Sequence, residues 1–157
     1  MLPALILPFL AITYVLGIVM DRVSDWLLTS RKTQLRILVF GSVESYRSAR
    51  LAVLREGGPG ITELFEYGRS RIRIARSWAF AFALNAVTAL PYSLLQLGIP
   101  TLSHRIACGL SLMLPILGLS LLTFWAWLCL VTNDYERLLE VSQLISERRA
   151  AHPQDAT

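Results

Sequence analysis

Charge is the first thing this sequence is short of. Of its 157 residues, 17% are Asp, Glu, Lys or Arg and 54% are hydrophobic, against about 25% and 45–50% in a typical soluble domain. Mean hydropathy is correspondingly high, at +0.52. Cysteine and histidine are nearly missing: Cys108, Cys129, His104 and His152 are the whole supply. The two cysteines fall in one long apolar stretch, and 21 helical residues separate them by roughly 31 Å, beyond disulfide reach. Four such residues, scattered, make no metal site, and the cysteines read as small apolar packers. Motifs of catalysis are missing as well: there is no Walker A loop, GxGxxG, HExxH or GxSxG. No catalytic residue, cofactor or metal is therefore assigned, and the chain is expected to be a non-enzyme. Asp21 and Asp25 form an acidic i, i+4 pair, but Arg22 beside them suggests ordinary ion pairing. The basic residues lack the interleaved aromatics of a nucleic-acid platform, so no nucleic-acid partner is expected.

What the chain has instead is three long uncharged apolar runs, at 1–20, 77–97 and 106–131. A membrane-spanning helix needs about 20 such residues, because the hydrocarbon core is about 30 Å thick. The first run is read as an uncleaved span rather than a signal peptide. No positive charge precedes it, and Asp21, Arg22 and Val23 follow it in place of a small-residue cleavage site. None of the three runs holds Asp, Glu, Lys, Arg or His at its middle, which argues against a proton relay, a voltage sensor or an ion-coupled transporter.

The cations set the orientation. Segment 21–76 carries eleven Lys and Arg residues, segment 98–105 carries one, and segment 132–157 carries three. Positive loops stay in the cytoplasm. The N-terminus is thus expected outside and the C-terminus inside, in the cell (inner) membrane. Trp26, Trp78, Trp125, Trp127 and Tyr135 cluster toward the cytoplasmic boundary, where amphipathic rings prefer to lie.

Within the basic loop 21–76, Gly57-Gly58-Pro59-Gly60 is the strong breaker. The segment after it is expected to run as one helix from about 61 to 97, capped by Gly60 and kinked at Pro91. The segment before it is expected to be helical over 33–56. A single rod over 21–56 would reach roughly 54 Å, while 61–76 returns only about 24 Å, so the chain must break, with Thr29-Ser30 the expected place. In the tail 132–157, Asn133 followed by Glu136 resembles a capping box, which predicts a separate amphipathic helix ending near Arg149. The loop carries net +5 and the tail net −2, so the tail helix is expected to pack on the loop hairpin.

The expected fold is an all-α integral membrane protein, one polytopic domain over 1–157, with three transmembrane helices, a cytoplasmic helical hairpin and a C-terminal amphipathic helix. Three groups of residues stand out. Arg69, Arg73 and Arg76 share a juxtamembrane helix face suited to anionic headgroups or a partner. Ala75, Ala79 and Ala83 form a small-residue stripe for close helix packing, with Gly17, Gly109 and Gly118 as candidate counterparts. Asn85, Thr88 and Gln96 are the polar residues of the second span, suited to interhelical hydrogen bonds or a pore lining. The expected function is a small membrane subunit whose basic cytoplasmic helices dock a protein partner or anionic lipid. The alternative is a homo-oligomeric, pore-forming or channel-like effector. Membrane lipids, a protein partner and self-association are the expected contacts.

Overall fold

Four α-helices make up the computed structural model, which describes residues 2–95 and 101–151, with side chains described from residue 6 onward except at 7 and 9. They are α1 (Leu2–Phe40), α2 (Val43–Glu56), α3 (Gly58–Leu95) and α4 (Leu102–Ala151), and no strand occurs among the described residues. The chain is all-helical. Both α3 and α4 are long and apolar enough to cross a membrane, with mean hydropathy of 1.4 and 2.1 over their most apolar stretches. They point to a membrane location. Of the expected first span, Met1 lies outside the described residues, and α1 covers the rest as helix. Residues 96–97 of the second span and the polar end 152–157 also lie outside the described residues.

Three boundaries differ from expectation. First, α1 does not break at Thr29-Ser30. The helix continues through both residues, and the Thr33 hydroxyl donates to the Thr29 carbonyl at 3.0 Å, a bond within the turn. The break comes at Gly41, whose φ of +73° suits only glycine. Ser42 then caps α2, its side chain accepting from the Ser45 amide. Second, α3 starts at Gly58 (φ +70°) rather than at Gly60. Pro59 thereby falls in the first turn, where a missing amide hydrogen costs nothing. Third, the tail is not a separate helix. α4 runs unbroken from the third apolar run through Asn133 to Ala151, with Pro115 inside it.

The chain divides into two compact units: unit 1 is Met1–Leu27 with Arg73–Trp127, and unit 2 is Leu28–Ile72 with Leu128–Thr157. Charge follows the same division. Unit 1 holds six of the 26 charged residues, and none lies at 77–104 or 106–127.

Unit 1 is built on an antiparallel contact of α3 with α4. The Ser120 hydroxyl donates to the Ala79 carbonyl at 2.9 Å. Eleven residues further along both helices, a Cβ placed on Gly109 would lie 3.3 Å from the Leu90 Cα and against the Ser93 hydroxyl. Small residues thus let the two backbones approach. Residues 76, 79, 83, 86, 90 and 93 of α3 alternate steps of three and four, the spacing of a helix–helix seam; of these, Ala79, Leu90 and Ser93 meet α4, and Arg76 meets α1. Arg76, Ala79, Ala86 and Ser93 are all buried along it.

Unit 2 closes around Phe40, Val53, Val131, Tyr135 and Leu138, all buried. The tail part of α4 packs on the loop helices, as the charge balance suggests. The rings of Phe40, Tyr46 and Tyr135 meet edge to face with centroids 5.3–6.2 Å apart. Arg149 pairs with Glu56 at the far end, an exposed contact worth about 0–1 kcal/mol. Trp26, Trp78 and Trp125 are exposed. Trp127 and Tyr135 are instead core residues, 1% and 4% exposed.

Replacing Gly109 by Leu tests the close approach in unit 1. The side chain has no room beside the Leu90 backbone, and overpacking costs about 1–3 kcal/mol. The thermal midpoint of the detergent-solubilised protein should fall by several degrees. Gly118→Leu, at a glycine with no atom within 4 Å of its would-be Cβ, should leave it near the wild-type value.

Candidate functional site

No single cleft gathers the residues singled out by sequence. They separate into three places, two in unit 1 and one in unit 2.

The first is an ion-pair bracket. Arg76 reaches Asp21 and Asp25 of α1 with its two terminal nitrogens. It also lies 3.4 Å from the Asp21 carbonyl, and the Ser77 hydroxyl donates to the Asp21 carboxylate at 3.3 Å. The Arg76 side chain is 5% exposed, against 31% for Asp21 and 43% for Asp25. Asp21 and Asp25 are one helical turn apart, so both present to the same guanidinium. Arg76, from another helix, is thus a counter-ion shared by both carboxylates. Arg69 and Arg73 are placed differently. Arg73 is exposed and makes no ion pair among the described residues. Arg69 belongs to unit 2.

The second place is a groove of about 440 Å³ between α3 and α4, lined by Phe82, Asn85, Thr88, Ala89, Tyr92, Leu112 and Ile116. Asn85 and Thr88 are exposed here. Each turns back on its own helix. The Asn85 side-chain nitrogen donates to the Ala81 carbonyl at 2.8 Å, and the Thr88 hydroxyl lies 3.1 Å from the carbonyls of Leu84 and Asn85. Among the described residues the Asn85 side-chain oxygen has no partner. Gln96 lies outside the described residues. The alanine stripe is on the opposite side of the question: Ala79 is buried, and Ala75 and Ala83 are half-buried, toward the α3–α4 seam. Of the candidate glycine counterparts only Gly109 meets α3. Gly17 and Gly118 have nothing within 4 Å of a would-be Cβ.

The third place is polar and lies in unit 2. Arg36 donates from Nε to the Tyr135 hydroxyl at 3.0 Å and stacks 4.8 Å over the Tyr46 ring. Burial pushes the Tyr135 hydroxyl up from its ordinary value, with Arg36 opposing the shift. One residue earlier, Asp134 lies where a Cβ on Gly68 would be 3.1 Å from its carboxylate oxygen. Burial pushes the Asp134 carboxyl up, with Arg69, Arg137 and Arg50 opposing. A cavity of about 30 Å³ lies beside it, lined by Arg50, Thr62, Arg69 and Asp134 among others. That is room for about one water molecule. Arg36, Tyr46 and Phe40 were not legible as a cluster in sequence, because they meet Tyr135 across a separation of about a hundred residues.

Among the described residues no three His, Cys, Asp or Glu side chains converge on a metal-sized site. No family model, no curated protein and no solved structure matches this chain.

The bracket makes a direct prediction. Arg76→Met removes the cation that both carboxylates share. For pairs this far buried the cost lies between the surface and interior limits, about 2 kcal/mol. Arg76→Met should lower the thermal midpoint in detergent. Adding Asp21→Asn and Asp25→Asn should recover most of the loss, since the uncompensated charges are then gone. An unchanged midpoint in Arg76→Met would show that the bracket contributes nothing.

Proposed function

We propose that this chain is a non-enzymatic integral membrane subunit with three spans, at 1–20, 77–97 and 106–131, whose charged helices dock a protein partner from the cytoplasmic side. The first span supports this reading by its uncharged composition. The orientation, N-terminus outside and C-terminus inside, rests on eleven cations in segment 21–76 against one in 98–105. The observation that carries the docking reading is the surface of unit 2. In a unit rich in charge, Leu38 is 81% exposed, and Leu51, Leu54, Leu64 and Tyr67 are also exposed. Large apolar side chains left in water beside charged ones are the composition of a protein–protein contact. Arg73, exposed and without an ion pair among the described residues, fits an anionic headgroup as an auxiliary contact.

A second reading, the homo-oligomeric pore or channel-like effector, draws on Asn85 and Thr88 in the open groove of unit 1. A polar residue facing outward at that depth requires protein or water beside it.

Affinity capture in mild detergent separates the two. On the docking reading the wild-type chain brings down a stoichiometric partner, and Leu51→Glu with Leu54→Glu abolishes its recovery while the helix content is kept. Recovery of this chain alone, in all conditions, contradicts the docking reading and favours self-assembly.

A further inference from the structure

α3 carries a second seam. Trp78, Phe82, Asn85, Ala89 and Tyr92 follow one another at steps of four, three, four and three, the spacing of a left-handed helix–helix contact. The seam formed by 76, 79, 83, 86, 90 and 93 is occupied within the chain, by α1 at Arg76 and by α4 at Ala79, Leu90 and Ser93. The second one is open: Trp78 is 53% exposed, Tyr92 is 61% exposed, and Asn85 is exposed between them. Trp78 and Phe82 already stack on each other along it, with ring centroids 5.3 Å apart. The groove of about 440 Å³ runs alongside, with Leu112 and Ile116 of α4 as its far wall.

Asn85 decides what covers this seam. It lies eight residues past Ser77, roughly 12 Å into the apolar run and near the middle of a 30 Å hydrocarbon core. One amide hydrogen is spent on the Ala81 carbonyl, which leaves a second hydrogen and the side-chain oxygen. Acyl chains supply neither a donor nor an acceptor, so lipid leaves both unmade. A second copy of α3 supplies both at once, because an amide is its own complement. Two copies inserted in the same membrane share an orientation, so their α3 helices are parallel. A two-fold axis along the membrane normal then places each residue of the seam beside its own counterpart. A single polar residue in an otherwise apolar seam also sets its register, and Ala89, one turn on, allows close approach.

We infer that the open face of α3 is an interface between two copies of this chain, paired in parallel through Trp78, Phe82, Asn85, Ala89 and Tyr92, with the Asn85 side chains hydrogen-bonded to each other. The inference rests on α3 crossing the membrane. It does not require a pore or a cytoplasmic partner.

Disulfide trapping of the full chain in native membranes tests it, in a background of Cys108→Ala and Cys129→Ala. Retention of the protein in the membrane after alkaline extraction is measured first. Release by alkali would overturn the span, and with it the seam, independently of any crosslink. With the protein retained, Ala89→Cys should trap as a dimer on mild oxidation. Val87→Cys, 70% exposed on another face, should not. Adding Asn85→Leu should weaken the Ala89→Cys dimer about tenfold, and Asn85→Gln should restore it, since the amide is kept. A retained but monomeric Ala89→Cys protein, equal trapping at 87 and 89, or a dimer indifferent to Asn85→Leu would each overturn the inference.

Discussion

Among the described residues Arg76 is the one fully charged side chain buried in the protein, and much of unit 1 follows from how that charge is held. An isolated guanidinium in an apolar setting is prohibitively unfavourable. Asp21 and Asp25 make it tolerable only if both lie on one face of α1, which requires α1 to be helical through that turn. They also require α3 to present Arg76 at the same level. From Arg76 the α3 seam continues to Ala79 against Ser120 and to Leu90 against Gly109. A shift of α3 by one residue would break the bracket and push Leu90 and Ser93 off the one glycine that admits them. Electrostatics and close packing therefore select the same register.

The two faces of α3 show how one helix can serve two contacts. One carries alanines, Leu90, Ser93 and Arg76, whose two terminal nitrogens are paired from α1. The other carries aromatic rings, one amide and no charge. Small residues favour backbone approach, whereas the larger rings of the open face offer area for dispersion contact. The polar residue on each seam is treated differently: Ser120 is satisfied across the α3–α4 contact, while Asn85 is only half satisfied by its own helix.

Much of this was legible in the sequence, and the exceptions have identifiable causes. The uncharged runs marked α3 and α4 because both are long and apolar enough to cross a membrane. The demand for a break between 21 and 56 followed from helix rise. Its place did not, because Thr29-Ser30 and Gly41-Ser42 both resemble capping sites and only the positive φ at Gly41 separates them. Asn133 resembled a helix start for the same reason, yet α4 passes through it, since a capping residue also fits a helix interior when packing holds the chain. Arg69, Arg73 and Arg76 looked equivalent by spacing. Their fates differ because each meets a different helix, and such tertiary neighbours leave no mark in local periodicity. Tyr135 and Trp127 were read as interface residues on composition, but both are packed within the protein. The exposed heptad on α3 was present in the sequence all along. It became visible only once the alanine seam was seen to be filled from within.

On the proposed topology, segments 21–76 and 98–105 lie on opposite sides of one membrane. Single cysteines at Arg47 and Ser103, both exposed positions, in a chain lacking Cys108 and Cys129, report this directly when intact cells are treated with a membrane-impermeant thiol reagent. The account predicts labelling at 103 without lysis, and labelling at 47 only after lysis. Labelling at 47 in intact cells would place the basic helices outside and contradict it.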